Sequence, residues 1–199
     1  MRIIIEPRLP KPTLWLVGNS PVIEPISQLA AIIGFSPNHI PSINELDSSA
    51  LFPHSLNHQQ MTLPGPNDFV LFFNTDIESL DMSRIENADQ VVKKIISDQR
   101  EVLSQMIQSE ACYFAIVADN GLQQTVLNKL TELGWRSHVK KLRVTTGINL
   151  GARTKQEIAL SLIAELTLVR RQGIDAVLQQ VTENNAVKHC PEFHHSQHL

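Results

Sequence analysis

Four short segments carry the residue types from which a binding site could be built. Gly18-Asn19-Ser20-Pro21 stands between an apolar run and an amphipathic stretch, where a dinucleotide-binding fold sets its glycine-rich phosphate loop. Backbone amides at such a helix start hold an anion without help from any side chain. Ser20 stands where the second glycine of that loop would let a pyrophosphate approach, and a third glycine at the usual spacing is absent. A tight turn that binds no nucleotide is the other reading. Asn74-Thr75-Asp76 and Ala118-Asp119-Asn120-Gly121 each follow an apolar run, so their side chains are expected near the Gly18 loop. Asp and Asn also serve at such places as turn and cap residues. The fourth segment is the loop from Gly147 to Gly151, just ahead of a helix start.

Other chemistry finds little support. An acid that grips a ribose hydroxyl belongs about 20 residues beyond the glycine loop, and Ile40-Pro41-Ser42-Ile43 offers none. That weakens ordinary NAD chemistry. Cys112 falls within an apolar stretch and reads as a packed, inert thiol. The tail from His189 to His198 is rich in His and holds Cys190, but it lacks the spacing of a closed zinc site and reads as a disordered terminus. No nucleophile, base and orienting acid can be assembled, so no catalytic residue and no metal ligand is assigned, and whether the protein is an enzyme stays open.

The elements that must position these segments alternate. Leu14 to Val17 is a short strand, and apolar residues at Val22, Ile23, Ile26, Leu29, Ala30 and Ile33 make one face of a helix that Gly34 closes. Pro37 and Pro41 leave only weak strand material after it, and residues 41–67 read as a long surface connection. Phe69 to Phe73 and Cys112 to Val117 are continuously apolar, as strands buried on both faces of a parallel sheet are. Helical periodicity runs from Ala88 to Ile107 and from Leu122 to Leu133, and Leu142 to Val144 is a last short strand. Thr154-Lys155-Gln156-Glu157 fits a capping box that opens a helix ending at Gly173. This order predicts an α/β fold: a Rossmann-like open parallel sheet with helices on both faces, in three αβα layers. Its ligands are expected at the carboxyl ends of the strands.

Composition narrows the function. A chain of 199 residues with 42% hydrophobic and 19% charged residues suits a single globular domain. We divide it into an N-terminal extension at 1–12, the Rossmann-like domain at 13–175 and a polar, His-rich tail at 176–199. Lys plus Arg total 17 against 20 Asp plus Glu, a net charge of −3, and no basic run is present, which argues against a nucleic-acid partner. No apolar stretch is long enough for a membrane span, and the start of the chain lacks a secretory apolar segment. A cytoplasmic protein is expected.

The stretch Gly147-Ile148-Asn149-Leu150-Gly151-Ala152-Arg153-Thr154-Lys155-Gln156-Glu157-Ile158-Ala159-Leu160-Ser161-Leu162-Ile163-Ala164-Glu165, followed by Arg170-Arg171, closely resembles the C-terminal signature of the XdhC/CoxI family, the xanthine dehydrogenase accessory factors. That pattern runs G-L-D-I-G-A-x-T-x-x-E-I-A-x-S-I-x-A-E. Gly34-Phe35, Phe52-Pro53, Asp76 with Asp81, and Tyr113 to Val117 resemble further family segments. Elsewhere the chain departs: Asn19-Ser20-Pro21 replaces A-G-H, Thr75 and Ile77 replace two histidines, and Asp119-Asn120-Gly121-Leu122 replaces the basic S-R-K-R.

The resemblance implies a maturation factor for a molybdenum hydroxylase, a chaperone that binds the molybdenum cofactor or a nucleotide such as NAD(P) and delivers the cofactor to a client enzyme. Carried over, it places cofactor contacts at Gly18, Asp76, Gly147 and Gly151, while Asn19, Ser20, Pro21, Asp119 and Asn120 are cofactor-binding candidates by their position after the strands. The departures point to an alternative, a divergent non-catalytic interaction module without nucleotide binding that docks a partner or its own copy as a homodimer.

Overall fold

The computed structural model describes residues 11–41, 63–73, 96, 100–118, 123–135 and 142–176. Along the chain these form β1 (Thr13–Val17), α1 (Ile23–Ile32), β2 (Ser36–Ile40), β3 (Phe69–Phe73), α2 (Arg100–Gln108), β4 (Tyr113–Val117), α3 (Gln123–Glu132), β5 (Leu142–Thr145) and α4 (Lys155–Gln172). The strands make one parallel sheet in the order β2-β1-β3-β4-β5. From β1 the chain steps outward to β2, then returns to place β3 on the opposite side of β1. That reversal is the kind of switch beside which open α/β sheets take their ligands.

The period of two along each strand divides the core. Leu14, Leu16, Phe69, Leu71, Phe73, Tyr113, Ala115 and Val117 face α1 and α4. Their neighbours Trp15, Val17, Val70, Phe72, Phe114 and Ile116 face α2 and α3. Both faces of β1, β3 and β4 are therefore closed by helices, which is why these strands read as unbroken apolar runs. The three-layer αβα sandwich is as the alternation predicts. No helix among the described residues is long and apolar enough to cross a membrane.

One strand is stronger than its sequence. Ser36-Pro37-Asn38-His39-Ile40 pairs with β1 along its whole length, from Thr13 opposite Ser36 to Val17 opposite Ile40. Pro37 is tolerated because β2 is an edge strand. Ser36 donates its N–H to Pro12 O at 2.9 Å, so the next backbone nitrogen, that of Pro37, turns away from the sheet. A second adjustment concerns Cys112, which precedes β4; it is partly buried, and its Sγ donates to Asp68 O at 3.2 Å.

Asp68 ties the amino ends of the strands together. Its carboxylate accepts from the Thr13 and Gly65 amides, each at 2.9 Å, and from Trp15 Nε1 at 3.2 Å. Burial works to raise its pKa, but the three hydrogen bonds outweigh it and hold the carboxyl below its ordinary value. On the helical layer, Arg170 of α4 donates to Ile33 O at 3.0 Å and stacks 4.5 Å above the Phe35 ring. It thus closes the carboxyl end of α1 with a cation, where the helix dipole favours one.

Candidate functional site

A cleft of about 640 Å³ opens at the carboxyl end of the sheet, between the β1–α1 loop and the end of β2. Asn19, Ser20 and Pro21 form its loop wall, and His39 of β2 closes the other side. Ile23, Glu24, Ser27 and Gln28 line it from α1. Glu24, Ser27 and Gln28 are spaced i, i+3 and i+4, so they share one face of the helix, while Ile23, Ile26 and Ala30 are buried in the core.

Gly18 sets the geometry of this corner. Its φ is +106°, and a Cβ on it would lie 2.0 Å from Phe73 O. Only glycine lets β3 come so close. The Gly18 N–H donates to Ile40 O at 2.8 Å. Its carbonyl lies 2.9 Å from His39 Nε2; a carbonyl only accepts, so Nε2 is the donor. Gly18 therefore joins β1 to β2 through both of its backbone groups.

The first turn of α1 is already supplied with acceptors. Ser20 Oγ accepts from the Val22 amide at 3.2 Å, and Ser20 O accepts from the Ile23 amide at 3.2 Å. Pro25 has no amide to offer, and Glu24 brings a carboxylate into the first turn. The helix dipole that would attract an anion thus acts first on a charge of the protein itself.

The loop before α4 is bound to its own helix. Gly147 has φ +91°, and a Cβ there would meet Ser161 C at 2.4 Å and Leu162 N at 2.6 Å. Ser161 Oγ donates to carbonyl oxygens in reach, Thr146 O and Ile158 O, both at 2.8 Å, and Ile148 N donates to Ser161 O. Gly151 has φ +68° with open space around it, and its N–H donates to Asn149 Oδ1. The capping box is present: Glu157 N donates to Thr154 Oγ1, and Glu157 Oε2 accepts from the Arg153 and Thr154 amides. Those two backbone bonds hold the Glu157 carboxyl below its ordinary pKa.

Below this loop lies a buried polar cluster. Glu165 of α4 accepts from Tyr113 Oη at 2.5 Å and from Thr145 Oγ1 at 2.6 Å, with Arg143 Nε 3.3 Å away. Burial chiefly, and then the Glu165 charge, push the Tyr113 phenol well above its ordinary pKa. Ser161 and Glu165, the two polar residues that the C-terminal signature buries, therefore clamp the loop and tie α4 to the sheet.

Of the residues expected to bind a cofactor, Asn19, Ser20 and Pro21 line the cleft and Gly18 supports it. Gly147 and Gly151 lie on the loop after β5, three strands from β1 in the sheet, and do not line it. Asp76, Asp119 and Asn120 lie outside the described residues. Glu24, Ser27, Gln28 and His39 were missed as lining residues; the signal was the polar i, i+3, i+4 set starting in the first turn of α1. Among the described residues no group of three or more His, Cys, Asp or Glu could hold a metal ion.

Comparison with known proteins adds the family. Residues 14–166 match the family described as the XdhC Rossmann domain. The chain is also 30% identical over 177 residues to the uncharacterized protein YqeB of Escherichia coli (strain K12). That match covers 87% of this chain and 30% of YqeB, so the chain spans about a third of the length of the curated relative.

Proposed function

This chain belongs to the XdhC Rossmann-domain family, and from that premise we propose that it is an accessory factor in the maturation of a molybdenum hydroxylase of the xanthine dehydrogenase kind. It acts in the cytosol and binds the molybdenum cofactor or a nucleotide in the strand-end cleft. The observation that carries the reading is the position of that cleft, at the carboxyl end of the sheet against the glycine loop of β1, the end at which open α/β sheets take their ligands. Retention of the signature from Gly147 to Glu165 supports it, since this segment builds the α4 side of the same rim.

The test is direct. Purified protein is incubated with molybdenum cofactor released from a molybdenum hydroxylase, passed through a desalting column, and assayed for retained pterin by fluorescence of its oxidised form. Stoichiometric retention is expected, with loss on placing a bulky charge in the cleft by Ser27→Arg. Absence of retained pterin, together with no protection of the protein against heat by the cofactor or by NAD(P), would overturn the reading.

A second reading has its own support. The first-turn amides at Val22 and Ile23 are engaged within the protein, and Glu24 stands at the helix start. A domain that no longer binds a nucleotide but docks a partner enzyme would show this pattern. Co-purification of a molybdenum hydroxylase by a chain that binds no cofactor would favour it.

A further inference from the structure

We propose that the outward face of α4 is where two copies of this chain meet, helix against antiparallel helix, about a two-fold axis that passes beside Ala164. The inference does not depend on what the cleft binds. α4 turns Ala159, Leu162, Ile163, Leu166 and Val169 to the core, and the opposite side of a surface helix is ordinarily charged. Here it is not. From Ile158 to Val169 the one charged residue is Glu165, and it is buried against Tyr113. Leu160, half exposed, and the partly buried Ala164, Thr167 and Leu168 share the outward side at helical spacing. α4 thus carries apolar surface both toward the sheet and away from it, and a helix of that kind is covered on both sides.

The spacing of the charges says what covers it. They return only at the two ends of the stripe, as Glu157 in the first turn and Arg171 in the last, both exposed. Each stands seven residues from Ala164, which is two helical turns, about 10 Å, and therefore the same face. Leu160 and Leu168 stand four residues to either side of Ala164. Such a face is complementary to itself reversed. With two copies antiparallel, Glu157 of each helix meets Arg171 of the other, Leu160 meets Leu168, and Ala164 meets its own counterpart, as an isologous contact requires. The small Ala164 side chain lies where the axes come closest, which suits helices crossing at about 20° with about 8 Å between them. A parallel pair would set Glu157 against Glu157 and Arg171 against Arg171, and like charges oppose it. Both capping bonds fall on Glu157 Oε2, and a carboxylate accepts at either oxygen, so the cap and a cross-chain ion pair coexist.

Sedimentation equilibrium of the full chain at micromolar concentration tests this. A mass twice the 22.3 kDa of one chain is expected. Leu160→Arg and Arg171→Glu should each weaken the dimer on the order of tenfold or more, with unchanged circular dichroism, because both side chains are exposed. Ala164→Cys under mild oxidation should give a covalent dimer, and peptide mass spectrometry should find position 164 of one copy linked to position 164 of the other. A parent chain that stays monomeric, or a dimer that Leu160→Arg and Arg171→Glu both leave intact, would overturn the proposal. So would a dimer in which position 164 links only to Cys112 or Cys190, and so would association through this face with a different protein alone. None of these outcomes bears on cofactor retention by the cleft, so failure here leaves the proposed function standing.

Discussion

Tyr113 Oη donates to Glu165 Oε1 across 2.5 Å, joining the first residue of β4 to the middle of α4 where solvent reaches neither side chain. Thr145 and Arg143 of β5 complete the surround of the same carboxylate. A carboxylate is stable at such depth only when hydrogen-bonded and paired. Glu165→Ala should therefore cost about 3–5 kcal/mol, because it leaves the Arg143 guanidinium without its counter-charge. Urea unfolding of Glu165→Ala and of Glu165→Leu with Arg143→Met would check this; the double substitution should recover much of the loss, and equal destabilisation of the two would speak against the pairing.

The same cluster predicts an optical signal. Tyr113 is the single tyrosine of the chain, so tyrosinate absorbance reports on it alone. Burial and the Glu165 charge raise its pKa in the folded state. A raised value means that the contribution to stability is whole below the unfolded value of about 10 and is lost as pH climbs from there toward the folded value. Tyrosinate should accordingly appear together with unfolding; ionisation near pH 10 in protein with native circular dichroism would contradict it.

Three glycines should rank in order. Alanine at Gly18 meets Phe73 O, and alanine at Gly147 meets the backbone of α4, so both variants should be poorly soluble or melt far below the parent. Alanine at Gly151 meets nothing within 4 Å and should cost only the positive-φ penalty of about 1–2 kcal/mol. Differential scanning calorimetry of the soluble variants would reveal the order, and a Gly151→Ala as damaging as Gly18→Ala would refute it.

Acid should loosen the amino end of the sheet. Since its hydrogen bonds hold Asp68 below its ordinary pKa, its contribution is complete above the unfolded value of about 4 and declines as pH falls through the lower native value. Asp68→Asn should flatten that part of the stability profile between about pH 2 and 5. An unchanged profile would mean that other carboxylates govern it.

Arg170→Met should cost about 1–2 kcal/mol, from one charge-assisted bond to Ile33 O and one stacked cation. Arg170→Lys should recover little, because an ammonium cannot stack and donate sideways in the same pose. Full recovery by lysine would reduce the contact to charge alone. Thermal melts of both variants decide it.

The sequence disclosed most of the scaffold because its strongest signals were local. FVLFF and YFAIV could only be strands covered on both faces, and Thr154 with Glu157 announced the start of α4. β2 was hidden because Pro37 lowers strand propensity, and pairing with β1 overrides that at an edge. The cleft was half legible. Its glycine turn was visible, but the role of Gly18 depends on Phe73, far along the chain, and no local pattern carries that contact. His39 was unreadable for the same reason: it matters through a bond to Gly18 that exists only once β1 and β2 lie side by side.

Pro37 also decides how copies of this chain can meet. An incoming segment laid along the outer flank of β2 would find an interrupted row of donors, so continuous cross-chain hydrogen bonding is blocked there. Among the described strands β5 holds the other flank. Any assembly that extended this layer through backbone bonding would have to grow in one direction only, away from the glycine turn, leaving the cleft uncovered.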